Sequence, residues 1–86
     1  MNFENLALEI MENVCETDEV RENLDLDLFD TGFIDSLSVI NIILEIENKL
    51  RIRLQPTDFE KKDISTVNNF KLFLERAANK EKWKEN

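Results

Sequence analysis

The sequence predicts an all-α fold, a bundle of three to four helices with a long first loop. Three observations predict it. The 86 residues include one glycine and one proline, which leaves little material for hairpins and favours long helices. Apolar residues recur at three-four spacing in three separate segments. The one stretch with a period of two, Leu24 to Leu28, has no second stretch of comparable length to pair with, and a lone strand has no stability of its own. The length makes one domain, with a core sufficient for a small bundle. At 42% hydrophobic and 35% charged, the composition is globular rather than disordered.

The elements follow in order. Phe3, Leu6, Ala7, Ile10, Met11 and Val14 form the apolar stripe of a first helix over residues 2–15, with Asn2 as its cap and Glu4 at the positive end of the helix dipole. Residues 16–34 make a long acidic segment. We expect an extended loop whose leucines and Phe29 pack onto the bundle, with Gly32 supplying a backbone turn.

A second helix is expected over residues 36–50. Val39, Ile43, Ile46 and Leu50 form its core stripe, with Ile42 beside them. Leu37, Ile40 and Leu44 lie on a further face. Periodicity leaves two readings open: the helix is buried on several sides, or it shows that face to a partner. Arg51 to Pro56 reads as an extended connector, because Pro56 disfavours helix at Gln55. A short helical turn then runs from Thr57 through Phe59 to Lys62. Ser65 or Thr66 caps a last helix with Val67, Phe70, Leu74, Ala77 and Ala78 on its stripe and Phe73 nearby. We assign residues 1–80 to the domain and 81–86 to a charged flexible tail that includes Trp83.

Composition removes most chemistry. There is no histidine, which excludes Ser-His-Asp catalysis, imidazole bases and His-ligated metals together. Cys15 is the single cysteine, so it forms neither an internal disulfide nor a cysteine cluster, and it reads as a half-buried residue ending the first helix. Asp25, Asp27 and Asp30 with Gly32 have a superficial likeness to a calcium loop. Counted from Asp25, however, Phe29 takes position 5, Asp30 position 6 and Ser36 position 12, which breaks the ligand pattern. No metal site is expected, and no spacing singles out a catalytic pair among the 19 acids.

Charge is unevenly placed. Residues 1–50 hold 13 acids and 2 bases, a net −11; residues 51–86 hold 6 acids and 9 bases, a net +3. An acidic half repels nucleic acid and favours basic protein surfaces. With no membrane span or signal peptide in view, a cytoplasmic monomer is expected.

What remains is Ser36, where the loop gives way to the second helix. Serine is a favoured cap, and capping alone would explain it. Asp35 can cap instead, which would leave Ser36 as the first helical residue with its hydroxyl in solvent. An anion there would meet free N–H groups and the positive end of the dipole.

The run Leu28-Phe29-Asp30-Thr31-Gly32-Phe33-Ile34-Asp35-Ser36-Leu37 resembles the phosphopantetheine attachment motif of acyl and aminoacyl carrier proteins. The resemblance continues through the second helix, the connector at 52–54, Phe59 and Ser65-Thr66-Val67. The spacing from Gly32 to Asp35-Ser36 is more similar to D-alanyl carriers than to fatty-acid carriers, as are Asn41 and the length of the stretch from Pro56 to Thr66. Two positions depart from the pattern: Arg51 replaces a common glycine, and Val67 a proline common in D-alanyl carriers.

The resemblance implies a non-catalytic carrier. It would hold 4′-phosphopantetheine, donated by coenzyme A, on Ser36, with an acyl or aminoacyl thioester at the far end, D-alanine among the candidates. Asp35 would help to position the transferase. Leu37, Ile40, Asn41, Leu44 and Glu45 would form a docking face, which favours exposure of that face. The implied partners are a phosphopantetheinyl transferase, a loading ligase and an acceptor transferase. A fatty-acid or polyketide-type carrier, and an unmodified acidic interaction module, are the alternative readings.

Overall fold

A computed structural model describes residues 2–58 and 60–84, excluding the side chains of residues 56 and 80–84. Helix α1 spans Phe3–Cys15, α2 Ser36–Leu50 and α3 Val67–Lys84; no strand occurs among the described residues. Three short 3₁₀ turns, Glu19–Arg21, Pro56–Asp58 and Lys61–Ile64, punctuate the connections.

The α1 boundaries follow from local chemistry. The Asn2 side chain accepts a hydrogen bond from the Asn5 N–H at 3.0 Å, which satisfies one orphan donor of the first turn. At the other end Glu16 takes a left-handed conformation and its N–H closes the last turn onto the Glu12 carbonyl at 2.8 Å. Helix α1 packs against both α2 and α3. The core between them holds Leu6, Ile10 and Met11 of α1, Ile42 and Ile46 of α2, and Val67, Phe70, Phe73 and Leu74 of α3.

The α2 faces differ from the sequence reading. Ile42 and Ile46 are the buried pair at i, i+4, while Val39, Ile43 and Leu50 are partly buried against the core margin. This helix is apolar on most sides, so periodicity cannot rank its stripes. What decides is which side α1 and the first loop reach.

That loop is folded in turns rather than extended. The 3₁₀ turn after α1 buries Val20, and the Asp27 carboxylate accepts from the N–H groups of Phe29 and Asp30. Leu28 and Ile34 are both buried, and the Ile34 N–H bonds to the Leu28 carbonyl at 3.0 Å. The chain between them loops outward through Gly32, whose φ of +80° suits a residue without a Cβ. Leu28 also donates to the Ser65 carbonyl at 2.7 Å, and Asn68 donates to the Leu24 carbonyl at 3.1 Å. The loop is thereby tied to the start of α3, and its closure delivers Asp35 to the start of α2.

After α2, the Glu47 side chain accepts from the Leu54 N–H at 2.9 Å and holds the connector down. The expected single helical turn at 57–62 is two 3₁₀ turns; Phe59 lies outside the described residues. Asp63 in the later turn is buried, accepting from the Glu60 N–H at 2.8 Å and from Arg76 of α3 at 2.9 Å. Thr66, rather than Ser65, caps α3, its hydroxyl accepting from the Asn69 N–H at 3.1 Å. The helical backbone continues to Lys84, into the segment expected as a flexible tail. The side chain of Trp83 lies outside the description.

Candidate functional site

Asp35 has extended backbone dihedrals, φ −144° and ψ −168°, and is the N-cap of α2. Its Oδ1 accepts from the N–H groups of Leu37 at 3.0 Å and Ser38 at 3.1 Å and from the Ser38 hydroxyl at 3.2 Å. The Ser38 hydroxyl in turn accepts from the Asp35 N–H at 3.1 Å, completing a capping box. The bonds from the Ser38 amide and hydroxyl, and then from the Leu37 amide, hold the Asp35 carboxyl below its ordinary 3.8.

The consequence for Ser36 is direct. Capping is done by its neighbour, so Ser36 is the first helical residue, exposed, with a hydroxyl that makes no hydrogen bond to the described chain. The open N–H groups expected around it are mostly absent. Asp35 engages those of Leu37 and Ser38 through its carboxylate and that of Val39 through its carbonyl, at 3.3 Å, which leaves the N–H of Ser36 itself.

Ser36 stands on the lip of an open groove of about 600 Å³ between the start of α2 and the Lys61–Ile64 turn. Val39, Ile34 and Ile64 make its apolar floor, and Asp30 and Asp35 bring carboxylates to its rim. On one wall Lys61 sits over the Phe29 ring, its Nζ 4.7 Å from the ring centroid. The sequence reading missed Lys61: it lies in another turn, far along the chain, with no motif around it. Phe29 it took for a packing residue and a member of the motif, with no cation assigned to its ring.

Of the remaining expected residues, Leu37, Ile40 and Leu44 are 74%, 56% and 53% exposed, the largest outward apolar side chains on α2. Asn41 is exposed beside them. Glu45 is half-buried at the edge of this face and accepts from Asn13 of α1 at 3.3 Å. Among the described residues no group of acids or cysteine is placed to hold a metal ion. Cys15 is half-buried, and burial pushes its thiol up to about 11. No helix among the described residues is long and apolar enough to cross a membrane.

Fold and site together define a small helical domain that presents one free serine hydroxyl at a helix start, above an open groove. A family model described as "Phosphopantetheine attachment site" matches residues 6–74. The chain belongs to this family, as a carrier of acyl or aminoacyl groups whose prosthetic group is 4′-phosphopantetheine. Curated relatives include the D-alanyl carrier proteins of Bacillus mycoides (strain KBAB4), Bacillus cereus (strain B4264) and Bacillus anthracis (strain CDC 684 / NRRL 3495). Each is 39% identical over 66 residues, 77% of this chain and 84% of the relative.

Proposed function

We propose that Ser36 is the attachment point of the prosthetic group and that this chain is an aminoacyl carrier whose cargo is D-alanine. One observation carries the first part: the serine hydroxyl is exposed and makes no hydrogen bond among the described residues, because Asp35 does the capping. The relatives named D-alanyl carrier protein support the second. When bound, the group supplies a terminal thiol that carries the cargo as a thioester.

The chain's own residues catalyse no step. Ser36 offers an accessible hydroxyl to a phosphopantetheinyl transferase. Asp35 keeps that hydroxyl free and presents a carboxylate, held in its charged form, to the same enzyme. Leu37, Ile40 and Leu44, with Asn41 and the edge residue Glu45, form the face on which transferase, loading ligase and acceptor enzyme dock in turn. The carrier acts in the cytoplasm as a monomer. Residues 1–80 carry the function.

The test is an intact mass of apo-protein incubated with coenzyme A and a broad-specificity transferase. One phosphopantetheine should be gained by the wild type and none by Ser36→Ala. A gain that survives Ser36→Ala moves the site elsewhere, and no gain in the wild type leaves an unmodified interaction module. D-alanine should then load through an adenylating ligase, while fatty acids with their own synthetase should not. Preferential fatty-acid loading would assign the chain to lipid or polyketide-type carriers.

A further inference from the structure

We propose that Lys61 is the groove's anion-binding residue: it pairs with the phosphodiester that joins the prosthetic arm to Ser36 and holds the first part of the arm against Phe29. The inference rests on attachment at Ser36.

Three observations carry it. The first is a charge problem at the attachment point. A phosphodiester is an anion, and the groove rim already holds the carboxylates of Asp30 and Asp35. A helix start normally offers an anion several N–H groups, but here those of Leu37, Ser38 and Val39 are engaged by Asp35. The bare N–H of Ser36 is a weak offset for a full charge among acids.

The second is the cation. Of the described residues lining the groove with Ser36, Lys61 is the one that carries positive charge. Among the described residues it has no carboxylate partner, unlike its neighbour Lys62, whose Nζ lies 3.6 Å from Glu60. Its ammonium rests on the Phe29 ring at 4.7 Å, a contact that leaves its N–H donors open to an oxyanion.

The third is rigidity. The turn bearing Lys61 is fixed from below. Asp63 is buried and bonded both to the Glu60 N–H and to Arg76, and Ile64 is buried in the core. Phe29 is held opposite by the closed loop, where its N–H bonds to Asp27 at 3.0 Å. A long flexible side chain therefore starts from a fixed base beside the groove and is steered across it by an aromatic surface.

The experiment uses holo-protein, isotopically labelled except for the arm, with modification verified by intact mass. Filtered NOE spectra then read contacts between the arm's pantoyl methyl protons and the Phe29 ring. The contacts should be present in the wild type and in Lys61→Arg, weakened in Lys61→Gln and lost in Lys61→Glu. They should also weaken in about 1 M salt, where charges are screened beyond about 3 Å. Amide spectra of the apo variants verify that the fold is intact, as expected for an exposed side chain. Contacts of equal strength in Lys61→Gln, or none in the wild-type holo-protein, would overturn the role of Lys61 while leaving Ser36 standing. Failure to gain the mass at all would overturn the Ser36 reading, and this one with it.

Discussion

Ile46→Ala is the sharpest probe of how α2 is oriented. Ile46 is fully buried, whereas Leu44, two positions earlier, is 53% exposed. Truncating Ile46 removes three carbons from the core, at about 0.8 kcal/mol each, or about 2.4 kcal/mol. Incomplete collapse of the hole adds up to about 2 kcal/mol more, so the loss should fall within about 2–5 kcal/mol. A domain of this length holds about 4–13 kcal/mol in total. The variant therefore forfeits a large share of its stability, and its melting temperature should fall by about 4–8 °C for each kcal/mol lost. Urea unfolding followed by far-ultraviolet circular dichroism measures the change, with the slope constant if both states keep their compactness. If Ile46→Ala does not fold, Ile46→Val, at about 0.5–1.5 kcal/mol, gives the same information. Leu44→Ala should stay within about 0.5 kcal/mol and instead weaken capture of the loading ligase. A loss below about 0.5 kcal/mol at Ile46, or a comparable loss at Leu44, would mean that the faces of α2 are reversed.

Three other outcomes are expected. The Asp35 carboxyl is depressed in the fold, so its stabilising effect is present above the ordinary value of 3.8 and is lost as pH falls through the folded value; the urea midpoints of wild type and Asp35→Asn should therefore differ most near neutrality and converge in acid. Arg51 ends α2 at φ +55°, a left-handed conformation that disfavours a Cβ by about 1–2 kcal/mol; after about 0.5–1 kcal/mol for the freer unfolded chain, Arg51→Gly should gain roughly 0.5–1 kcal/mol by urea unfolding, and a loss would refute the strain. The Cys15 thiol, raised from 9.0 to about 11 by burial, should react with a disulfide reagent at pH 8 about tenfold more slowly than in the urea-unfolded chain, because the about hundredfold loss of thiolate is partly offset by the greater nucleophilicity of a more basic thiolate; equal rates would show that it is not shielded.

Boundaries governed by local chemistry were legible in the sequence. Asn2 caps the helix expected of it, and Asp35 and Thr66 are each one of two caps the sequence left open, because a side-chain oxygen within reach of its own first-turn N–H groups needs no distant partner. The exposed hydroxyl of Ser36 was legible only as one of two readings, since either Asp35 or Ser36 could have taken the cap, and the structure gives it to Asp35. Features set by long-range packing were not. The alternation of Leu24, Leu26 and Leu28 looks extended, but Leu28 is pulled into a turn by the Ser65 carbonyl, a residue of the far end of the domain. The buried pair on α2 depends on where α1 crosses it. Lys61 meets Phe29 only because Asp63 and Ile64 fix its turn against α3.

The order of Asp35 and Ser36 links these observations. Two adjacent side chains can each accept from first-turn N–H groups, and whichever stands at the cap is consumed by it. With aspartate at the cap, the stronger acceptor satisfies the backbone and the hydroxyl one residue later is left free for chemistry. The same choice has an electrostatic cost. It sets a carboxylate beside the point where a phosphodiester is to be joined and withdraws the helix N–H groups that would otherwise receive it. A cation arriving from elsewhere in the fold offsets both effects, and Lys61 stands on the same groove. The capping arrangement that frees Ser36 and the lysine across from it are on this view two parts of one solution, which is why loss of the lysine should alter the lie of the arm without altering whether the arm is attached.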